Sequence, residues 1–259
     1  GVFAEARSED AAGKKIPETD AIFDNVQASR KRALNEPNTL RISLDTKAKV
    51  KVCEFSRGGS ARTIEPVRAL DHDIRPDAVL VPFGLLELTR GTREIHQPWL
   101  AFGHSKETSD FMADAIRMWW TERCVEHAGI TKLQIELDNG PEINSSRTQF
   151  MKRMVDFSDQ AGLKIELVYL PPYHSKYNPI ERFWGVLEQH WNGTLLSSIF
   201  LVLQWALTVR WRGNAPVVRE NQQTYERGVR LSKKEFRPWE QRLDRSQTLP
   251  KWSVAILQL

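Results

Sequence analysis

The sequence predicts an α/β protein, a mixed sheet flanked by helices, and three observations carry that expectation. Two runs, residues 40–45 and 133–138, alternate apolar and polar residues, and both end in aspartate. Strand-like segments before residue 103 follow one another over short turns, the habit of antiparallel pairing. From residue 105 onward, helical and strand-like patterns take turns.

The first 39 residues are polar, charged and poorly periodic, and read as a linker or the remnant of a missing N-terminal region. Strands are expected at 40–45 and 50–55, with a Gly-, Arg- and Asp-rich excursion over 56–77. Residues 79–88 and 95–102 form a hairpin across Thr89-Arg90-Gly91-Thr92, with Pro98 weakening the second strand or placing it at an edge. A helix over 105–127 follows, with Phe111, Ala115 and Met118 or Trp119 on one face. After the strand ending in Asp138, a helix over 146–161 carries Phe150, Met154, Phe157 and Ala161 on one stripe, and Gly162 stops it. A strand over 164–170 leads into the loop Pro171-Pro172-Tyr173-His174-Ser175-Lys176-Tyr177. There Asn178-Pro179 opens a helix that runs to Trp191. Residues 191–209 contain no charge but too many polar residues for a membrane span, and read as a buried helix.

A chain of 259 residues with 41% apolar composition can build one main domain with appendages. Cys53 and Cys124 have no paired spacing, which argues against a disulfide framework or zinc cluster and fits a reducing cytoplasm. The six histidines show no ligand pattern. The net charge of +4 is modest but uneven: residues 205–259 hold eleven Lys or Arg against five Asp or Glu.

Asp45, Asp138 and Glu181 are the candidate metal ligands. Asp45 and Asp138 each share the polar parity of their strand and so leave its apolar face. Glu181 lies one turn into its helix. Phosphodiester chemistry suits two divalent ions about 4 Å apart, held by carboxylates from different elements. An all-carboxylate set favours Mg²⁺ or Mn²⁺ over zinc. Each residue also has a plainer reading. Asp138-Asn139-Gly140-Pro141 is a good turn, Asp45-Thr46-Lys47 could begin a hairpin, and Glu181 stands where a glutamate completes a capping box with Asn178.

The segment Asp138-Asn139-Gly140-Pro141, with Arg147-Thr148-Gln149-Phe150 after it, and the tract from Pro171 through Asn178-Pro179-Ile180-Glu181-Arg182-Phe183-Trp184 resemble the catalytic core of DDE transposases of bacterial insertion sequences. The likeness is to the Azo-type insertion-sequence family, related to the mariner-like group. Further matching segments are Leu44-Asp45-Thr46-Lys47, Phe55-Ser56-Arg57-Gly58-Gly59, Leu70-Asp71-His72-Asp73, residues 105–111 and His190-Trp191-Asn192-Gly193. The resemblance implies a ribonuclease-H-like five-stranded mixed sheet over residues 40–204, with Asp45, Asp138 and Glu181 as the catalytic, metal-holding triad of two Mg²⁺ or Mn²⁺ ions. It implies cleavage at a transposon end and strand transfer of the freed 3′ hydroxyl. The partners it implies are double-stranded DNA and further copies of the chain, with no membrane and no small-molecule substrate, at the nucleoid of a bacterial cytoplasm. His174, Lys176 and Asn178 are candidates for phosphate or water contacts, the alternative being a rigid loop that anchors the helix. Members of the family carry an N-terminal helix-turn-helix region, which nothing before Leu40 supplies. Residues 92–99 also depart from the alternation of a central strand.

The extension over 205–259 interleaves Arg210, Arg212, Lys233, Lys234 and other cations with aromatics. Taken alone it reads as a charged face packed by its own aromatic residues; with the resemblance, a DNA-facing role is favoured. Two competing functions stay open: a non-catalytic DNA-binding or oligomerisation remnant, and a stand-alone nuclease.

Overall fold

The computed structural model describes residues 15–54 and 76–258. The excursion over 56–77, except its last two residues, and the segments at 55–59 and 70–73 lie outside the described residues.

The chain begins with helix α1 (Thr19–Asn35) and strands β1 (Thr39–Thr46), β2 (Val50–Val52), β3 (Ala78–Arg90) and β4 (Arg93–Gly103). Next come α2 (Ser109–Arg123), β5 (Lys132–Leu137), α3 (Thr148–Ala161), β6 (Lys164–Tyr169), a single 3-10 turn (Ser175–Tyr177) and α4 (Pro179–Trp191). The C-terminal part adds α5 (Ile199–Thr208), β7 (Val217–Asn221), α6 (Lys233–Glu240), β8 (Leu243–Arg245) and β9 (Ser253–Ile256). The strands form one mixed sheet of order β7-β4-β3-β1-β5-β6-β9-β8, with β2 paired to β3 outside that path. Its centre, β4-β3-β1-β5-β6, is the expected five-stranded ribonuclease-H-like sheet: two antiparallel hairpin strands, then β1, β5 and β6 in parallel.

The apolar parity behaves as the alternation requires. Leu40, Ile42, Leu44, Leu133, Ile135 and Leu137 are fully buried, in one cluster with Phe111, Ile116 and Trp119 of α2 and Phe150 and Met154 of α3. The polar parity is buried as well. Ser43, Gln134 and Glu136 have no exposure, because α1 and α4 lie over them. Gln134 donates to the Ser29 carbonyl, and Arg30 of α1 pairs with Glu136 at 2.6 Å. The aspartates therefore leave one core for the edge of a second, polar interface.

Two expectations are corrected and one is extended. Residues 19–35, read as part of a linker, form a helix whose Ile22, Val26 and Ala33 are buried; its many charges hid a short apolar stripe, and Arg30 and Arg32 find acids on the sheet. The sheet is wider than five strands because the C-terminal residues supply β7, β8 and β9. The uncharged run is not a buried helix: α5 buries Val202 and Ala206 and leaves Phe200 and Leu207 exposed. Strand β4 lies inside the sheet, but Pro98 itself is bordered by a strand on one side only. The partner β7 joins β4 only from Trp99 onward, so the missing N–H costs no ladder bond on that side. The irregular stretch before it is a docking site, where Asn214 donates to the carbonyls of Ile95 and His96 and Gln97 to that of Ala215.

Among the described residues, both cysteines are free, and no helix is long and apolar enough to cross a membrane.

Candidate active site

Register brings the two aspartates together. In the parallel pair of β1 and β5, Leu44 stands opposite Leu137, so the next residue of each strand, Asp45 and Asp138, emerges at the same level. Parallel ladders deliver neighbouring strand ends to one edge of a sheet, which is where ligands collect in such folds. Neither aspartate is a simple turn residue. β1 continues through Thr46, and Asp138 Oδ1 receives a hydrogen bond from Asn178 at 3.4 Å.

Glu181 arrives from α4, and two devices seat that helix. The first is a polar latch. Ser43 Oγ donates to Asn178 Oδ1 and accepts the Ile180 N–H at 3.0 Å, while Asn178 Nδ2 donates to the Leu44 carbonyl at 3.1 Å. No capping box forms: the Asn178 side chain caps nothing in its own helix, and the hydroxyl of Ser43 satisfies the first turn from the neighbouring strand. Glu181 is thereby left free of a capping duty. The second device is a missing side chain. Gly84, opposite Asp45 in β3, lies under the Trp184 ring so closely that a Cβ would stand 2.4 Å from it. Only glycine lets α4 lie this low on the sheet.

The result is a cluster in which one ligand oxygen from each of Asp45, Asp138 and Glu181 lies within 4.8 Å of the others. All three are half-buried. Burial, with Asp138 and Glu181 alongside, pushes the Asp45 carboxyl up to about 8; burial and Glu181 push Asp138 up to about 6, against the hydrogen bond from Asn178. Carboxylates crowded this way have the chemistry of a cation site. Three hard oxygen donors from three separate elements fit a divalent ion of the magnesium or manganese kind.

A family-wide sequence profile described as "Rhodopirellula transposase DDE domain" matches residues 4–258. The chain belongs to this family. The match takes in both the N-terminal helix and the C-terminal strands. Among curated proteins none matches. Solved structures similar to the domain include the Mos1 mariner paired-end complex with Mn (9% identity, TM-score 0.49, 73% of this chain and 52% of that one). Another is the Mos1 transposase paired-end complex with left transposon end (8%, 0.46, 73% and 52%). A third is the Mos1 strand transfer complex (9%, 0.45, 73% and 51%). The DDE domain spans about half the length of these chains.

The other expected site residues fall into two groups. Asn178 is fully buried and belongs to the latch, so it has no surface to offer DNA. His174 is turned inward onto Phe23 of α1, with its Nδ1 2.7 Å from the Pro172 carbonyl, as an anchored loop requires. Lys176 is exposed beside the Tyr177 ring. In the C-terminal part, Arg210 donates to the carbonyls of Leu207, Thr208 and Val209 at the end of α5. Arg212 stands 3.8 Å from Glu94, and Lys233 and Lys234 are exposed in the first turn of α6. Many of the remaining cations there serve the fold, as in Arg219 with Glu122, Arg242 with Asp159 and Arg245 with Glu240.

Sequence reasoning missed Ser43, Gly84 and Trp184. Signals existed: Ser43 shares the parity of Asp45 two residues before it, and an isolated glycine inside a strand pattern marks a close approach.

Proposed function

We propose that the DDE domain cuts DNA at the ends of a mobile element and joins the freed 3′ hydroxyl to target DNA, with two Mg²⁺ or Mn²⁺ ions held by Asp45, Asp138 and Glu181. The observation that carries this reading is the convergence of the three carboxylates, from β1, the end of β5 and the first turn of α4, within 4.8 Å. Bound divalent ions supply activation of the attacking oxygen and stabilisation of the leaving oxygen in an in-line displacement. The chain's own part is to hold the oxygens in place. Asp45 and Asp138 are fixed by strand register, and Glu181 by the Ser43–Asn178 latch and the Gly84–Trp184 contact. With its carboxyl raised to about 8, Asp45 holds a proton at neutral pH when no cation is present, and gives it up as a cation binds.

Double-stranded DNA as substrate, assembly of several copies on it and residence at the nucleoid of a reducing cytoplasm belong to this proposal. The exposed Lys176, Arg212, Lys233 and Lys234 are its remaining DNA-facing candidates. The test is Mn²⁺-dependent nicking and strand transfer on a duplex carrying the element's end, with the Asp138→Asn variant beside the parent. Loss of both activities in the variant, with DNA affinity nearly unchanged, supports the assignment; equal cleavage by both removes Asp138 from the mechanism. Nicking without any strand transfer by the parent favours a nuclease.

A further inference from the structure

Beside the first turn of α4 the described residues enclose a cleft of about 220 Å³, walled by Arg30, Arg41, Arg182 and Arg212 with His96 and Trp211. Four arginines, from α1, β1, α4 and the segment after α5, line it. Their acidic partners are few. Arg30 and Arg41 share the buried Glu136, at 2.6 and 3.4 Å, and Arg212 reaches Glu94 at 3.8 Å. Arg182 is exposed and has no ion pair among the described residues. Among the described residues, two acids against four arginines leave the wall with a surplus of two positive charges. The approach of Arg41 to Glu136 lacks the alignment of a hydrogen bond, so its buried Nε has no acceptor.

The backbone is bent to build this wall. His96 and Arg212 adopt φ of +56° and +47°, a region non-glycine residues rarely enter, and the bend brings Arg212 Nη1 within 2.7 Å of His96 Nε2. Strain of this kind concentrates at ligand sites. The fold also fixes where the cleft lies relative to the carboxylates. Arg41, Ser43 and Asp45 share one face of β1, which puts Arg41 about 13 Å from Asp45 at the usual rise per strand residue. Arg182 directly follows Glu181.

We propose that this arginine cleft binds a backbone phosphate of the DNA strand, a few nucleotides from the bond being cut. The inference rests on the DNA-cutting reading of the carboxylate cluster and adds to it a hold on DNA that needs no metal. That hold answers an electrostatic problem. Even with Asp45 protonated, the acidic cluster repels a phosphate until cations are bound, and a positively walled cleft on the same face keeps the strand in place meanwhile. Planar guanidinium groups are suited to grip phosphate oxygens in pairs.

The experiment measures binding of a duplex oligonucleotide in EDTA by fluorescence anisotropy across a salt series. It compares the parent, the Arg182→Gln/Arg212→Gln double variant, and a Lys31→Gln/Lys164→Gln double variant that removes the same charge from exposed positions elsewhere. For every phosphate that the protein no longer neutralises, the slope of log K against log salt becomes shallower by about 0.9. The arginine variant should show about one such step and bind roughly ten-fold more weakly at moderate salt. Its melting temperature and its Mn²⁺-induced rise in melting temperature should match the parent's, which separates the cleft from the carboxylate cluster. An unchanged slope in the arginine variant, or an equal loss of affinity in the lysine variant, overturns the cleft while leaving the DNA reading intact. A parent that shows no salt-dependent DNA binding overturns the DNA reading and the cleft with it.

Discussion

Gly84→Ala adds one methyl group under α4, and the structure fixes what that methyl must meet. Its carbon would lie 2.4 and 2.6 Å from two atoms of the Trp184 ring and 3.2 Å from Ile180 Cδ1, against ordinary contact at 3.4–4 Å. The ring is rigid and nearly fully buried, so it cannot swing aside, and the helix itself must rise by about 1 Å. Overpacking of this kind costs about 1–3 kcal/mol of stability. The larger effect falls on Glu181, which rides the same helix three residues earlier. A displacement of about 1 Å at a reacting centre can cost roughly a hundred-fold in rate. The assay is a double-mutant cycle with Trp184→Phe, which removes the outer edge of the ring, read by thermal melting and by Mn²⁺-dependent DNA nicking. Gly84→Ala should lower both stability and rate in the parent background. It should do so much less beside Trp184→Phe, with a coupling of about 1 kcal/mol or more in the stability cycle. Additive effects, or a Gly84→Ala protein that melts and nicks like the parent, would refute the claim that the Gly84–Trp184 contact seats Glu181.

The pH dependence of the metal-free protein should run opposite to that of a salt-bridged carboxylate. Asp45 rises from 3.8 when unfolded to about 8 when folded and Asp138 from 3.8 to about 6, so the folded state binds more protons. The stability they contribute is full below pH 4 and is lost as pH climbs to about 8, with a slope of at most about 1.4 kcal/mol per pH unit for each proton. Melting curves in EDTA should show this fall, Asp45→Asn should flatten it, and Mn²⁺ should restore the melting temperature at pH 8 in the parent alone. A metal-free parent whose stability rises between pH 5 and 8 with the same slope as Asp45→Asn contradicts the cluster's electrostatics. Asn178→Ala should cost about 1–3 kcal/mol, since it strips Ser43 and the Leu44 carbonyl of a buried partner. It also removes the hydrogen bond that lowers Asp138, so the acidic limb of the Mn²⁺-dependent rate profile should move to higher pH. An unshifted profile would mean that the latch acts on the helix alone.

How far the sequence reaches depends on the range of the interactions involved. Alternation with period two placed β1 and β5 within a residue or two, and Gly162, at φ +64°, ended α3 where its αL conformation was expected. Strand parity and helix position nominated the three carboxylates, and the resemblance of the tracts around Asp138 and Glu181 tipped the balance, because each alone has an adequate local explanation. The first helix and the last three strands were not legible. α1 mixes a short apolar stripe with many charges, and β7, β8 and β9 have five, three and four residues, too few for a pattern to stand out. They form because the sheet offers them an edge and partners such as Glu136 and Glu166.

By itself, then, the sequence determined the alternating faces of the central strands, the helix boundaries marked by glycine and proline, and the residue types fit to hold a hard cation. The tertiary structure alone decided that Leu44 pairs with Leu137, that Ser43 rather than Glu181 serves the first turn of α4, and that four arginines from distant segments share one cleft. The physical reason is range. Periodicity and capping are set by residues a few positions apart, whereas register, close approach and shared charge are set by segments that meet only when the whole sheet has closed.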